Sequence, residues 1–504
     1  MALTTGRAVP AVLPSAVDPR LPTTHPARRP VLWLLVVAAA YVASMLVVVA
    51  PRVALGWDET LYASQVSPRA PAGFFSAPRA RGVTYLIAPV VHFTASPVAL
   101  RAYLAVLAGV LVVAGFWPWL RVFRRPATVP LAALAFCGLW VVQFYGPSAM
   151  PNTWVALGAL AAVGWFVRYG YRASHWSLAG VAAGLGFVAL VRPSDAFWIC
   201  LPLAVAMLAV RRWRRLPLYA AALAGVAAGI TPWLVESYQR FGGPVARLNR
   251  ASQIEGGLAW HPIGAYYQLR SLDGPLLCRP CSGHLASPAL AVWWVAIPLL
   301  VVAGLVVAAR TRELVPTAVP AACGASIGLS YLLTLTYAAP RFLIPAYALL
   351  SLPVGVALGR IVGRAGGIRV PAAVAVGLVL TLQVASQFAI LVHEAGNHTA
   401  SALGYQPAAA VLRHDGVHAP CVINGKDDVP IGYVLGCREL EWRGHNQNTT
   451  KAGLLAAAHH EDAVYISHKA QPPAFLHHWR RHPLPTPPGE HHWFAYTPPW
   501  EPTK

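Results

Sequence analysis

Charge is what this sequence has least of. Only 11% of its 504 residues are charged and 57% are hydrophobic, whereas a soluble domain carries about a quarter of its residues as charge. So few charges cannot cover a water-exposed surface, so most of the chain must face lipid. We therefore expect an α-helical polytopic membrane protein.

Acidic residues are scarcer than basic ones. The chain has 18 acidic and 39 basic residues, nearly all of the latter arginine, and a net charge of +21. Such a balance can indicate nucleic-acid binding. Here the arginines stand between apolar runs, which is typical of cytoplasmic loops facing anionic lipid. We expect a membrane partner and no nucleic acid.

Apolar runs long enough to approach a membrane span recur along most of the chain. The first, 31–50, has no charge and predicts a retained helix, not a cleaved signal. A shorter apolar stretch, 83–94, predicts a juxtamembrane helix. About eleven transmembrane helices are predicted, at 31–50, 97–120, 130–145, 153–167, 176–191, 196–210, 216–235, 288–309, 315–337, 342–358 and 370–391.

The arginines predict how these helices are oriented. Every second connection between the runs is basic, and positively charged loops stay in the cytoplasm. We therefore expect a disordered cytoplasmic tail at 1–30 and a transmembrane domain at 31–392. Its long loops 51–96 and 236–287 would lie outside the cell membrane, together with a soluble domain at 393–504.

The predicted outer domain alternates short strand-like and helix-like stretches, which indicates a small α/β module. Its histidine spacings fit no standard zinc motif. Four cysteines fall on the predicted outer side, where an oxidising compartment favours disulfides. Pairing within each couple is simplest, but three connectivities are possible, and the first couple could instead bind a metal or act in redox chemistry. The couples are Cys278 with Cys281 and Cys421 with Cys437.

Within the membrane domain only two acidic residues are adjacent. Asp58 and Glu59 follow the first predicted span closely. A carboxylate at the membrane boundary is costly unless it is solvated, paired or functional. It could act as a general base or hold a cation, or it could be the solvated start of a loop.

Further short motifs follow this doublet in a fixed order. They are Arg81-Gly82 with an apolar segment ending at Pro89, Leu100-Arg101, Arg192-Pro193, and Arg341-Phe342-Leu343-Ile344-Pro345. The series resembles the GT-C glycosyltransferases, the group of protein O-mannosyltransferases, aminoarabinose transferases and glycolipid mannosyltransferases. The resemblance covers about 31–392. It implies a GT-C-like fold, a polyprenyl-phosphate sugar as donor, and a first-loop aspartate as catalytic base.

Site roles follow from this resemblance and from the chemistry of phosphate. Asp58 would be the base and Glu59 its assistant. Arg81, Arg192 and Arg341 would bind the donor phosphate, since a guanidinium fork suits phosphate; the alternative is that they only reach toward lipid headgroups.

A second set of residues is expected to contact the substrates. Asn152 stands where many relatives carry a second acid, so a divalent metal remains possible, but no metal ligands are assigned. Glu255 and His261 lie in a loop rich in aromatic and polar residues, a composition that suits a substrate cleft. We expect Asn152, Glu255 and His261 to be substrate-binding residues. The acceptor could be a lipid, a polysaccharide or a protein.

Two other functions fit the same sequence. A transporter or lipid flippase would also cross the membrane many times, although such proteins usually carry ionisable groups at mid-membrane. A non-catalytic anchor for the outer module is the other alternative. It would leave the acidic doublet and the outer arginines without a role.

Overall fold

The computed structural model describes residues 28–257, 259–279, 281, 288–365, 370–402, 404–486 and 491–499. Most of the predicted tail at 1–30 lies outside these residues. The α-helices are α1 Arg28–Ser44, α2 Trp57–Ser64, α3 Gly82–Val91, α4 Pro97–Phe116, α5 Thr128–Cys137, α6 Trp140–Tyr145, α7 Pro151–Tyr171, α8 His175–Val191, α9 Pro193–Ala209, α10 Leu216–Phe241, α11 Pro244–Ile254, α12 Ile263–Leu269, α13 Pro288–Arg310, α14 Leu314–Thr334, α15 Ile344–Ala365, α16 Val370–Ala402, α17 Tyr405–His414, α18 Asp428–Leu435 and α19 Lys451–Ala458. The strands are β1 Cys421–Gly425, β2 Arg438–Glu439, β3 Asp462–Ser467, β4 Arg480–Leu484 and β5 Trp493–Thr497.

The chain is a multi-pass membrane protein. Every predicted apolar run contains a helix, although the third is divided between α5 and α6. Three of the other helices, α5, α8 and α9, are apolar but shorter, so the count of eleven spans stays a prediction. In the described part of the chain, seven helical segments are long and apolar enough to cross a membrane: Arg28–Val49, Pro97–Arg121, Leu216–Phe241, Ala291–Arg310, Leu314–Thr334, Pro340–Ile361 and Gly377–His398.

Helices α8 and α10 approach each other through glycine. Gly225 and Gly229 are four residues apart on α10 and lie against the backbone of α8. A Cβ atom built on Gly229 would stand 2.0 Å from the carbonyl oxygen of Gly186. Small residues at this spacing let membrane helices pack backbone to backbone.

The C-terminal module is a five-stranded sheet with helices on both faces. The strand order is β2-β1-β3-β5-β4. β1 pairs in parallel with β2 and β3, whereas β5 is antiparallel to β3 and β4. Apolar side chains of α17 and α18 pack on one face, and those of α19 pack on the other. The predicted α/β module is therefore present.

Two disulfides and one helix contact position the outer segments. Cys421 is bonded to Cys437, and Cys278 to Cys281. Helix α18 of the module packs on α2, the helix that carries Asp58. The predicted juxtamembrane stretch is the helix α3, which packs between α2 and α4. The module and the loop between α1 and α4 are therefore in contact.

We expect Gly229→Leu to destabilise the solubilised protein by about 3 kcal/mol, because the new side chain must separate α8 from α10. Gly377→Leu is the matched control, since a Cβ atom at Gly377 meets no atom within 4 Å. Thermal unfolding in detergent measures both. Equal unfolding temperatures in the two variants would contradict the close packing.

Candidate active site

A cavity of about 460 Å³ lies where the outer loops, several helix ends and the C-terminal module meet. Its walls come from α2, the segment before α3, the first turn of α7, the end of α8, the turn before α15 and residues 441–446 of the module. Five residues singled out from the sequence line it: Asp58, Asn152, Arg192, Glu255 and Arg341.

Asp58 lies in the first turn of α2 and faces two guanidinium groups. Arg79 Nη2 is 2.8 Å from Asp58 Oδ1, and Arg341 Nη2 is 3.4 Å from Asp58 Oδ2. About a third of the aspartate side chain, 34%, is exposed to the cavity. Burial alone would raise the pKa of Asp58, but the nearby arginines outweigh it and hold that pKa below its ordinary value. Asp58 is therefore ionised at neutral pH.

Arg341 and Arg192 reach the cavity from two helix breaks. Arg341 belongs to a 3₁₀ turn, Pro340–Leu343, that precedes α15. Arg192 is extended between α8 and α9, because a residue before proline is disfavoured in a helix. Its guanidinium carbon lies 5.4 Å from the ring centre of Tyr331 and its Nε lies 3.5 Å from Asp195 Oδ1.

Arg79 is a cavity residue that the sequence did not single out. It donates to Asp58 and, at 3.3 Å, to Asn446 Oδ1 of the module. Its own carbonyl accepts a 2.8 Å hydrogen bond from Arg247 Nη2. Arg247 is fully buried and also pairs with Glu236 of α10 at 2.9 Å. It therefore connects the loop that carries Arg79 to α10.

Arg81 and His261 do not line the cavity. Arg81 lies at the start of α3, where its Nε donates to Glu236 at 3.1 Å and its Nη1 to Gln65 at 2.7 Å. His261 joins α14 through a 2.6 Å backbone hydrogen bond to Leu333. The position expected for Arg81 is thus taken by Arg79. Arg81 pairs with Glu236 whereas Arg79 pairs with Asp58, and a local motif does not contain that information.

Asn152 and Glu255 are placed to contact a bound molecule. Asn152 is fully buried, and neither its amide nitrogen nor its oxygen has a hydrogen-bond partner among the described residues. A buried amide without partners is costly, so a ligand in the cavity would satisfy it. Glu255 accepts a short hydrogen bond from the hydroxyl of Tyr337, which raises the pKa of that tyrosine further than burial alone.

A divalent metal does not fit at Asp58. Both carboxylate oxygens of Asp58 already face arginine, and the adjacent wall supplies the neutral amide of Asn152 where a second acid would be needed. Hard cations prefer several oxygen ligands with negative charge. The cavity around Asp58 is built for an anion.

The chain is similar to known proteins in structure and not in sequence. No protein-family model matches the chain, and no curated protein matches it by sequence. ArnT from Cupriavidus metallidurans, solved with undecaprenyl phosphate, is 13% identical and superposes with a TM-score of 0.66 over 92% of this chain and 98% of its own. The same protein in its apo state gives 0.64.

The Archaeoglobus fulgidus oligosaccharyltransferase, solved with a tethered acceptor peptide, is 12% identical. It superposes with a TM-score of 0.52 over 87% of this chain and 69% of its own. These neighbours belong to the superfamily that the motifs resemble. The chain has the GT-C fold.

Glu59 holds the first two outer loops of the GT-C fold together. It faces away from the cavity and accepts from Arg101 Nη2 at 2.7 Å and from the backbone of Ala149 at 2.8 Å. Arg101 is 1% exposed. Its remaining donors reach carbonyls of Val53, Ala54 and Pro147. The doublet therefore divides its roles: Glu59 supports the GT-C loops while Asp58 faces the cavity.

Glu59→Gln should lower the stability of the solubilised protein by about 3–5 kcal/mol, because Arg101 would be left buried with its charge uncompensated. Glu461→Gln is the matched control: Glu461 pairs with Arg438 on the module surface at 2.9 Å, where such a pair contributes at most about 1 kcal/mol. Chemical denaturation compares them. Similar small losses in both variants would rule out a supporting role for Glu59.

Proposed function

We propose that the chain transfers a sugar from a polyprenyl-phosphate donor to an acceptor hydroxyl on the extracytoplasmic face of the membrane. One observation carries the proposal: in a cavity that Arg79, Arg192, Arg279 and Arg341 line, the ionised carboxylate of Asp58 faces two of these guanidinium groups, those of Arg79 and Arg341. A carboxylate can take the proton of an attacking hydroxyl, and guanidinium groups can stabilise a leaving phosphate.

The proposed transfer is an inverting displacement at the anomeric carbon of the sugar. The acceptor oxygen attacks the anomeric carbon of the sugar and forms the new glycosidic bond, while the bond from that carbon to the phosphate oxygen breaks. The hydroxyl proton passes to Asp58. The phosphate leaves on its lipid with the electron pair of the broken bond, and Arg341 and Arg192 stabilise its charge.

The arginine pairs of Asp58 suit this sequence of events. A donor phosphate competes with Asp58 for Arg79 and Arg341, since guanidinium forks bind phosphate in two-point contacts. Donor binding would then loosen the pairs that lower the pKa of Asp58 and make the carboxylate a better base. Asp58 would become a stronger base only after the donor has bound. In the free enzyme, Asp58 would remain a weak base and would not take protons from other hydroxyl groups.

An apolar cavity lies along the helix that follows Arg341. Helix α15 begins directly after the turn that carries Arg341. Tyr347, in the first turns of α15, lines an apolar cavity of about 610 Å³ between α5, α13, α15 and α16. A polyprenyl tail could lie there while its phosphate meets the arginines.

The other candidate residues receive separate roles in this proposal. Asn152 and Glu255 contact the sugar or the acceptor, whereas Glu59 and Arg81 are positioning residues and His261 has no assigned part. The transfer is metal-independent at Asp58. The membrane domain is 31–392 and the outer domain 393–504, with the N-terminus in the cytoplasm. The sugar is a hexose or pentose; a mannosyl specificity belongs to the resemblance alone.

Asp58→Asn should lower sugar transfer at least about a hundredfold, since removing a general base typically costs 10²–10⁴ in rate. Purified protein is incubated with a panel of polyprenyl-phosphate sugars, and the released polyprenyl phosphate is measured. Asp415→Asn, a change of the same kind on the module surface beside His482, should keep the original rate. Full activity in Asp58→Asn would contradict the role of Asp58 as base. A lipid flippase would instead move the donor without releasing sugar in any variant.

Arg79→Gln should shift the acid limb of the transfer rate to higher pH. Arg79 lowers the pKa of Asp58, so its removal raises that pKa and the base becomes protonated at less acidic pH. The KM for the donor should rise about tenfold or more, because a charged hydrogen bond is lost. A pH–rate profile measures the first effect. Arg240→Gln is the control, since Arg240 pairs with Glu236 and not with Asp58; an unmoved limb in both variants would contradict the pairing.

A further inference from the structure

Three carboxyl groups of the C-terminal module converge beside the cavity. Asp428 starts α18, Glu439 lies in β2, and Glu441 lines the cavity wall. One oxygen atom from each of the three lies within 4.8 Å of the other two. Oxygen ligands of Ca²⁺ stand about 2.3–2.6 Å from the ion, so one ion fits between atoms at this separation.

The three carboxyl groups have more hydrogen-bond acceptor atoms than there are donors around them. Asp428 is fully buried; its Oδ1 accepts from Trp57 Nε1 at 3.3 Å and from its neighbour's backbone, but its Oδ2 is buried with no hydrogen-bond partner among the described residues. No lysine, arginine or histidine in the described part of the chain forms an ion pair with Asp428, Glu439 or Glu441. The buried acids Glu59 and Glu236, by contrast, each face arginine.

Burying three ionised carboxyl groups together costs free energy unless their negative charge is neutralised. Burial, and then the proximity of Glu441 and Glu439, raises the pKa of Asp428 well above its ordinary value. Burial, and then the proximity of Glu439, raises the pKa of Glu441 to about 7. Burial also raises the pKa of Glu439. Buried charges are tolerated when they are paired or when they coordinate a metal.

We propose that Asp428, Glu439 and Glu441 form a binding site for one divalent cation of the oxygen-seeking class, Ca²⁺ or Mg²⁺. Three carboxylates supply hard oxygen ligands and no sulfur or imidazole, the ligand set that such ions prefer. The site lies in the module and is separate from Asp58, whose oxygens face arginine. It does not depend on the proposed transfer reaction.

The cation would fasten the module to the first outer loop. Asp428 accepts from Trp57, the residue before Asp58, and Glu439 accepts from the backbone of Phe74 at 3.1 Å. Asn446 donates to Glu439 at 2.8 Å and accepts from Arg79 at 3.3 Å. Neutralising the three carboxyl groups would therefore stabilise the wall of the cavity that holds Arg79.

Terbium is the sharpest probe of this site. Tb³⁺ binds oxygen ligands, as Ca²⁺ does, and its emission is sensitised by aromatic side chains nearby; the Trp57 nitrogen is 3.3 Å from Asp428 Oδ1, and Trp442 directly follows Glu441. The full chain, stripped with a chelator in a neutral detergent, is titrated with Tb³⁺. We expect sensitised emission that saturates at one ion per chain and is displaced by Ca²⁺ or Mg²⁺.

Variants locate the bound ion. Glu441→Gln should weaken Tb³⁺ binding at least about tenfold, the loss typical of a disturbed metal site, while Glu461→Gln should bind as the unchanged protein does. Trp57→Phe should lower the emission per bound ion. No sensitised emission, or equal affinity in Glu441→Gln and Glu461→Gln, would overturn the proposal. If Glu441→Gln fails to fold, undiminished emission from the double variant Trp57→Phe, Trp442→Phe overturns it instead.

Discussion

The ion pair between Arg101 and Glu59 is the constraint on which the arrangement of the loops around the cavity depends. Arg101 leaves the first turns of α4 and reaches two adjacent carbonyls of the first loop, a carbonyl of the second loop and the carboxylate of Glu59. A buried guanidinium group must have all its donors satisfied, so the two loops can adopt only the arrangement that satisfies them. That arrangement directs Asp58 into the cavity.

Charged residues are distributed unevenly around the Arg101–Glu59 contact. The helices are nearly free of charge, whereas the cavity above them holds arginines and carboxylates side by side. In a site partly shielded from water each such charge interacts more strongly than it would in solution. A lipid-linked phosphate delivered from the membrane would meet this strong field directly, which is what a reaction on a polyprenyl-phosphate donor requires.

Several site residues could be predicted because their motifs are local. Asp58 follows the first span, and Arg192 and Arg341 adjoin prolines that interrupt helices, so their placement at helix ends follows from backbone chemistry alone. Arg79 and Arg81 could not be told apart in this way. They lie two residues apart, and the choice between them depends on Glu236, a residue of α10 far along the chain. The strand β2 is only two residues long, too short for an alternating pattern to predict it.

The amino-acid sequence by itself determined the lipid surroundings of this protein, its division into apolar helices and a C-terminal module, and the place of the acidic doublet soon after the first apolar helix. These properties depend on composition and on neighbouring residues, because lipid selects apolar runs and excludes charge one segment at a time. Only the tertiary structure decided which carboxylate faces the cavity, which arginine meets it, and that Asp428 stands beside Trp57. Those contacts join residues between 21 and 371 positions apart, and packing between the segments, not local pattern, sets their geometry.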